Sequence, residues 1–496
     1  MSTEERQDSH KGGEFVKHML VYGLGVLTFQ IASLVLLPLY TRYLEPSEYG
    51  LVQLIYRVGE VLNICLMANG IQLATLNLYG HASDGPERRA IAPTLVALVA
   101  AVLAAGSVIV LLFARPLSAL LGVSSPGMFS LGVIAILLQA TTMVPLSLMQ
   151  ARMDSRSYVI STVSISLCHV GGALVAIGLF GWGVWGVLAA LALAYGGMGI
   201  VLTLRELSRS RSRVDPALMR TAARFAAPFI PAGLLFFILR SGDQFFLTRF
   251  SGLEVLGFYA LGYRLASVAM LVMYPFRQVW NAWMYEAYKQ PDSAVVFGRV
   301  ITRGLAVYMF GGVVLLAFVD EVFAILARPE YARATKVIAP IVLANLFLAA
   351  SHLMDASFYV KRKTTLKPVI AAGSTTVMLV LYATLIPRYH DIGAAYATLL
   401  GLLVHAAFTA IVAQRVFRIN FEHGRIVGAL MLSLLVYAGT QMMGTGVFEF
   451  VLKTLLCMSW PVVAWIVGLI TEDEKRAVLA GVLWLKGRAS RVSDRS

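Results

Sequence analysis

An eighteen-residue stretch occurs twice in this chain, and any fold the chain adopts must accommodate both copies. Thr41 to Val58 reads TRYLEPSEYGLVQLIYRV, and Thr248 to Leu265 reads TRFSGLEVLGFYALGYRL. At a constant offset of 207 and with no gap, Thr41, Arg42, Gly50, Leu54, Tyr56 and Arg57 fall on Thr248, Arg249, Gly257, Leu261, Tyr263 and Arg264. Tyr43 falls on Phe250, and much further along Gly186 falls on Gly393. Polar residues are among the identities, so an apolar composition alone does not explain the match. We read a duplicated unit of roughly two hundred residues, the kind of internal repeat that decides an architecture.

The repeated unit is a membrane unit. The chain is 58% hydrophobic and 14% charged, against ~45–50% and ~25% in soluble domains. A crossing helix needs ~20 apolar residues, and fourteen such runs fit between residues 15 and 470. The first, at 15–39, is too long for a signal h-region and lacks a small-residue cleavage site, so it is expected to remain as a span. The expected fold is an all-α polytopic membrane protein. Two pseudo-symmetric six-helix lobes are expected at 1–204 and 222–413, joined by a basic linker at 205–221. Two extra C-terminal helices follow at 414–470, then an amphipathic tail at 471–496. Six is an even number, so the repeats run parallel, related by an axis along the membrane normal. In the tail, Val478, Leu479, Val482, Leu483 and Trp484 oppose Lys475, Arg476, Lys486 and Arg488, as in a helix lying on a leaflet.

The net charge of +14 follows from topology and calls for no nucleic acid partner. Of the 41 Lys and Arg residues, 29 fall on the segments on one side of the spans and 7 on the other. By the positive-inside rule both termini are expected on the cytoplasmic side. Cys65, Cys168 and Cys457 lie inside apolar runs with no metal spacing, so neither disulfides nor a thiolate site is expected. Trp280, Trp283, Tyr285 and Tyr288 read as an interfacial belt. Pro228, Pro231 and Pro275 read as tolerated kinks or as hinges.

A charge inside a span costs ~2.5–3.5 kcal/mol at mid-membrane, so each one needs a reason. Arg57 lies seven residues past Gly50, ~10 Å along a helix, and Arg264 lies equally far past Gly257. With Arg240 these could meet at one level as cavity cations, and Arg277 would lie deeper on the same route. Guanidinium groups bind phosphate or carboxylate in a bidentate way and stay charged. The plainer reading is snorkelling, or local pairing at i,i+3 of Arg57 with Glu60 and of Arg240 with Asp243. Lys453 has Glu449 four residues earlier, which reads as a structural pair. Asp243, Glu60 and Asp355 are the candidates for coupling an ion. His352, His169 and His405 are packing residues or relay groups. GWGVWG (Gly181, Gly183, Gly186) matches GxGxxG but sits in a short turn between spans, so no dinucleotide site is expected. No P-loop, GxSxG or HExxH is present, and no cofactor or metal is expected.

The TRYL..SEYG stretch, its TRF....VLGFYALGYR echo, the fourteen-span layout and the basic loops at Gln150–Ser157 and Lys361–Lys367 resemble a known family. It is the Wzx-type polysaccharide flippases (O-antigen and exopolysaccharide exporters) of the multidrug/oligosaccharidyl-lipid/polysaccharide (MOP) superfamily. The resemblance implies two six-helix lobes around a cavity. It also implies movement of an undecaprenyl-pyrophosphate-linked oligosaccharide from the inner to the outer leaflet by alternating access. Arg57, Arg240, Arg264 and Arg277 are the residues that would meet the cargo. Membrane lipids and polysaccharide polymerase or export proteins are the implied partners. Rival readings are a cation-coupled multidrug exporter, a lipid II flippase and a non-transporting subunit of a polysaccharide synthase complex. An enzyme is disfavoured, because the longest outer connection, near Asp320–Lys336, is under twenty residues and holds no catalytic set.

Overall fold

The computed structural model describes residues 31–468, apart from 84, 211 and 445. The start of the expected first span and the expected amphipathic tail lie outside the described residues. Among the described residues the secondary structure is entirely helical. Helix α1 covers residues 31–43. It is followed by α2 (Pro46–Cys65), α3 (Ala68–His81), α4 (Pro86–Leu112), α5 (Ala114–Leu120), α6 (Pro126–Leu137) and α7 (Ala140–Ala151). Then come α8 (Ser155–Ala173), α9 (Gly183–Leu191), α10 (Met198–Ser210), α11 (Pro216–Ala226), α12 (Phe229–Ser241) and α13 (Asp243–Ala266). The rest is α14 (Met273–Tyr288), α15 (Ser293–Ala317), α16 (Val319–Leu326), α17 (Ile338–Met354), α18 (Ala356–Val360), α19 (Leu366–Val416), α20 (His423–Gln441) and α21 (Val447–Ile466).

Eleven helices are long and apolar enough to cross a membrane, or twelve if α2 and α3, bent by 45°, form one span. The protein is therefore a multi-pass membrane protein. The fourteen spans expected from the sequence are not reached by this measure, for two reasons. The first expected span begins outside the described residues. The expected spans at 366–387 and 391–413 are merged in α19, whose 51 residues are broken by non-helical His390 (φ 53, ψ −126). A hydrocarbon core of ~30 Å is crossed by ~20 residues, so α19 exceeds one crossing.

The three prolines sit at helix irregularities. Pro228 caps α12 just after α11 ends at Ala226, and Pro231 lies in the first turn of α12. Pro275 follows a 3₁₀ stretch, Ser267–Val272, in the third position of α14. A proline there has no N–H to donate, so the tighter winding before it leaves fewer carbonyls unpaired.

The chain divides into two compact units. The first comprises residues 1–265, 323–348 and 363–409. In it α3 packs on α7 and α11, and α2 packs on α6 and α12. One of its cores gathers Ile71, Leu95, Val144, Leu148 and Ala222. The second unit comprises residues 266–322, 349–362 and 410–496, with α15 against α14 and α20, and α20 against α21. There Trp280 is 2% exposed and meets Phe297 edge-on at 4.9 Å. Trp280 is thus a core residue and not part of an interfacial belt, whereas Trp283 and Tyr285 are exposed.

The repeated stretches meet inside the first unit. A Cβ on Gly50 would lie 1.9 Å from the Leu253 carbonyl oxygen, and one on Gly257 would lie 1.9 Å from the Pro46 carbonyl oxygen. Leu253 is Pro46 advanced by the repeat offset, so the contact is reciprocal, as a local two-fold relation requires. This crossing of α2 and α13 explains why both copies keep glycine. Each copy enters its crossing helix by its own turn. In the first, the Glu45 N–H donates to Glu48 Oε2 (3.0 Å) and Pro46 opens the helix. In the second, Gly252 stands in Glu45's place at φ 84, ψ 177, a backbone open to glycine.

Candidate functional site

Below the crossing, charged side chains from both copies share one carboxylate. Arg57 Nη1 pairs with Glu60 Oε2 at 2.6 Å, one turn along α2. Arg240, from the end of α12, donates through Nη2 to the other oxygen, Oε1. Arg57 Nε also donates to Gln244 Oε1 at 3.0 Å. The Tyr263 hydroxyl donates to the Arg240 carbonyl at 2.9 Å, tying α12 to α13. The Glu60 carboxylate thus has each of its oxygens engaged by a different guanidinium group. The side chains of Arg57 and Glu60 are 21% and 28% exposed, and that of Arg240 is 60% exposed.

Of the two pairings suggested by spacing, Arg57–Glu60 forms. Arg240 pairs with Glu60 in place of Asp243. Asp243 is fully buried and taken by other partners: its carboxylate accepts from the Tyr259 hydroxyl, from Thr398 Oγ1 (3.1 Å) and from the Gln244 N–H (2.9 Å). The exposed Arg240 and the enclosed Asp243 therefore face different surroundings although only three residues separate them.

Arg264, the repeat partner of Arg57, is half-buried on α13. It acts electrostatically on Tyr40, Tyr49, Tyr56 and His169. Among the described residues it has no carboxylate partner, and the position matching Glu60 is Ser267. Arg277 lies in the second unit, half-buried on α14. Asp355, also in the second unit, opens α18, where its carbonyl accepts from the Phe358 N–H at 3.0 Å. His405 is buried with Nδ1 3.1 Å from Ser374 Oγ, a packed arrangement. His169 lies 6.2 Å from the Tyr195 ring. Lys453 does not pair with Glu449. It is buried and reaches Glu321 at 2.8 Å, joining α21 to α16.

The structure thus brings together Arg57, Glu60 and Arg240, with Gln244, Tyr263 and the buried Asp243 alongside. In the sequence Tyr263 stands out only as a repeat identity, and Gln244, Tyr259 and Thr398 carry no signal of their own. One signal was there to be read: Tyr49, Gln53, Tyr56 and Glu60 recur on α2 at spacings of four, three and four, a polar stripe on one helix face.

The fold is that of the MOP-superfamily transporters and flippases. Similar solved structures include a lipid II flippase, MurJ, in an inward closed conformation. Its TM-score is 0.72 at 11% identity, over 91% of this chain and 99% of that one. A multidrug-resistance MATE transporter of the MOP superfamily, facing inward, is similar with TM-score 0.63 at 13% identity, over 82% of this chain and 99% of that one. A mutant of the Vibrio cholerae MATE transporter VcmN is similar with TM-score 0.57 at 17% identity, over 83% of this chain and 98% of that one. No curated protein sequence matches the chain. The profile of the family described as polysaccharide biosynthesis protein matches residues 15–286, more than half of the chain, and the chain belongs to that family. It is a multi-pass membrane protein of that polysaccharide biosynthesis family, with the fold of the MOP-superfamily structures above.

Proposed function

We propose that the protein is a flippase that carries an undecaprenyl-pyrophosphate-linked oligosaccharide from the inner to the outer leaflet by alternating access. In this reading it resides in the inner membrane with both termini cytoplasmic, as the uneven distribution of Lys and Arg favours. Lobes at 1–204 and 222–413 rock about the repeat axis, and the helices at 414–470 are an appendage. The observation that carries the proposal is the Arg57–Glu60–Arg240 cluster, with the carboxylate-free Arg264 on the repeat-related helix. A pyrophosphate entering a low-dielectric core needs fixed cations. The guanidinium groups gathered at Glu60, with Arg264 lacking a carboxylate partner among the described residues, supply them. Arg277, half-buried on α14 of the second unit, is a further candidate cation. Asp243 is the proposed coupling residue, because its carboxylate is enclosed by hydroxyl groups and not cancelled by Arg240. Glu60 is engaged by two arginines, which assigns it to charge balance, and Asp355 is the remaining coupling candidate.

The test is leaflet-resolved measurement of lipid-linked oligosaccharide in a strain lacking this protein. Cargo should collect on the inner leaflet, be cleared by the wild-type chain, and stay there with Arg240→Gln at equal protein level. Clearance of cationic drugs with no change in the lipid-linked cargo would replace this reading by a multidrug exporter.

A further inference from the structure

We infer that the 3₁₀ segment Pro329–Val337 is a strap that holds the α2–α13 end of the first unit shut, with Arg328 and Tyr331 as its fastening residues. The last carbonyls of a helix have no partner within it. Here the Thr41 carbonyl accepts from Arg328 Nε at 3.1 Å. The Leu44 carbonyl accepts from Arg328 Nη2 at 3.3 Å and from the Tyr331 hydroxyl at 3.0 Å. A cation at a helix C-terminus also meets the negative end of the helix dipole. The Thr41 hydroxyl meets the Leu326 carbonyl, just before the strap. Thr41, Leu44 and Tyr331 are all buried. The Tyr331 ring stands edge-on to Tyr49 at 6.3 Å and to Phe258 at 6.2 Å, so it is wedged between the two copies.

The other side of the strap is fixed to the second copy. Arg333 forms a fork with Asp391, at 2.8 and 2.7 Å. The Ala334 carbonyl lies where a Cβ on Gly262 would be, 2.4 Å away, so α13 can approach closely only because residue 262 is glycine. One end of the segment thus belongs to the second repeat, while Arg328 and Tyr331 reach across to the first. The positions 207 residues earlier hold Leu121, Ser124 and Pro126 in place of Arg328, Tyr331 and Arg333, so the strap has no mirror image. Arg328 also pairs with Glu330 at 3.3 Å, an exposed partner to which it can turn when released.

This rests on the alternating-access reading, in which this end, the outer end by the charge distribution, must open. Parting α2 from α13 then requires the Thr41 and Leu44 carbonyls to give up the strap. Losing one such hydrogen bond shifts an open–closed balance by roughly two- to tenfold.

The test needs no cargo. Cys65→Ser, Cys168→Ser and Cys457→Ser give a cysteine-free background. Gln53→Cys then places a reporter one turn along α2 from Tyr49, and Ser374→Cys a control in buried packing. A membrane-impermeant maleimide is applied to intact cells. Tyr331→Phe, which removes only the hydroxyl, is expected to raise labelling at position 53 about threefold, and Arg328→Gln more, with position 374 unchanged. Unchanged labelling at 53 in both variants, or an equal rise at 374, overturns the strap. If the strap releases as stated but leaflet-resolved cargo does not depend on the protein, the flippase reading fails alone.

Discussion

The two copies of the repeat share a backbone and differ in chemistry. Gly50 and Gly257 face each other's helices with the same 1.9 Å clearance to a carbonyl oxygen. Tyr56 and Tyr263, and Arg57 and Arg264, keep their stations. Three residues beyond the arginine, however, one copy has Glu60 and the other Ser267. The first arginine is paired, and its carboxylate also holds Arg240. The second has no carboxylate among the described residues. The matched glycines permit the crossing of the helices, while the residue three beyond each arginine decides whether that arginine has a carboxylate on its own helix.

The largest effect should come from breaking what the copies share. Gly257→Val drives a branched side chain into the Pro46 carbonyl, a backbone group that cannot turn aside. Overpacking costs about 1–3 kcal/mol and occasionally more, so we expect little folded protein in the membrane by detergent-extracted yield. Gly80→Ala meets open space and should leave the yield unchanged.

The next effects come from exchanging what differs. Glu60→Gln leaves Arg57 and Arg240 without their anion. Hydrogen bonds to charged groups contribute about 1.5–3 kcal/mol, and the partial exposure of this cluster places the loss of thermal stability at the low end. Ser267→Glu does the reverse, giving Arg264 an i,i+3 carboxylate. The folded protein should persist and outer-leaflet delivery of cargo should fall, so the two variants separate stability from transport. Asp243→Asn keeps shape while removing charge. The ratio of transport rates with and without an imposed proton or sodium gradient should drop to one.

Much of this was legible in the sequence. The copies, the glycines, the Arg57–Glu60 pair and the class of fold followed from spacing and hydropathy alone. The misreadings share a cause. Arg240 to Asp243 and Lys453 to Glu449 are helix neighbours by number, but tertiary partners won in both cases. Asp243 is enclosed by Tyr259 and Thr398, and Lys453 is drawn to Glu321 across a buried contact. Trp280 looked interfacial because it ends a span, yet it packs on Phe297, which lies in a different helix. Sequence spacing ranks partners within one helix and says nothing about those arriving from another.

The smallest expected effect lies outside the repeat, at a turn. Asp154 caps α8 by accepting from the Ser157 N–H at 3.0 Å. Hydrogen bonds from Ser157 hold its carboxyl below the usual range. The stabilisation is therefore present above the ordinary carboxylate pKa and is lost as pH falls through the lowered value. Asp154→Ala should cost about 1 kcal/mol, read as a lower melting temperature near neutral pH, with the difference closing under strong acid.

Arg264, without a carboxylate partner among the described residues, is the most direct point to probe. Purified protein in proteoliposomes, loaded with pyrophosphate-linked oligosaccharide, gives a flipping rate for wild type, Arg264→Lys and Arg264→Gln at equal protein content. We predict a loss of about tenfold or more for Arg264→Gln, the effect of about 1.4 kcal/mol, with partial retention in Arg264→Lys. A rate for Arg264→Gln equal to that of wild type would contradict the claim that positive charge at the meeting of the two copies carries the cargo's anionic headgroup.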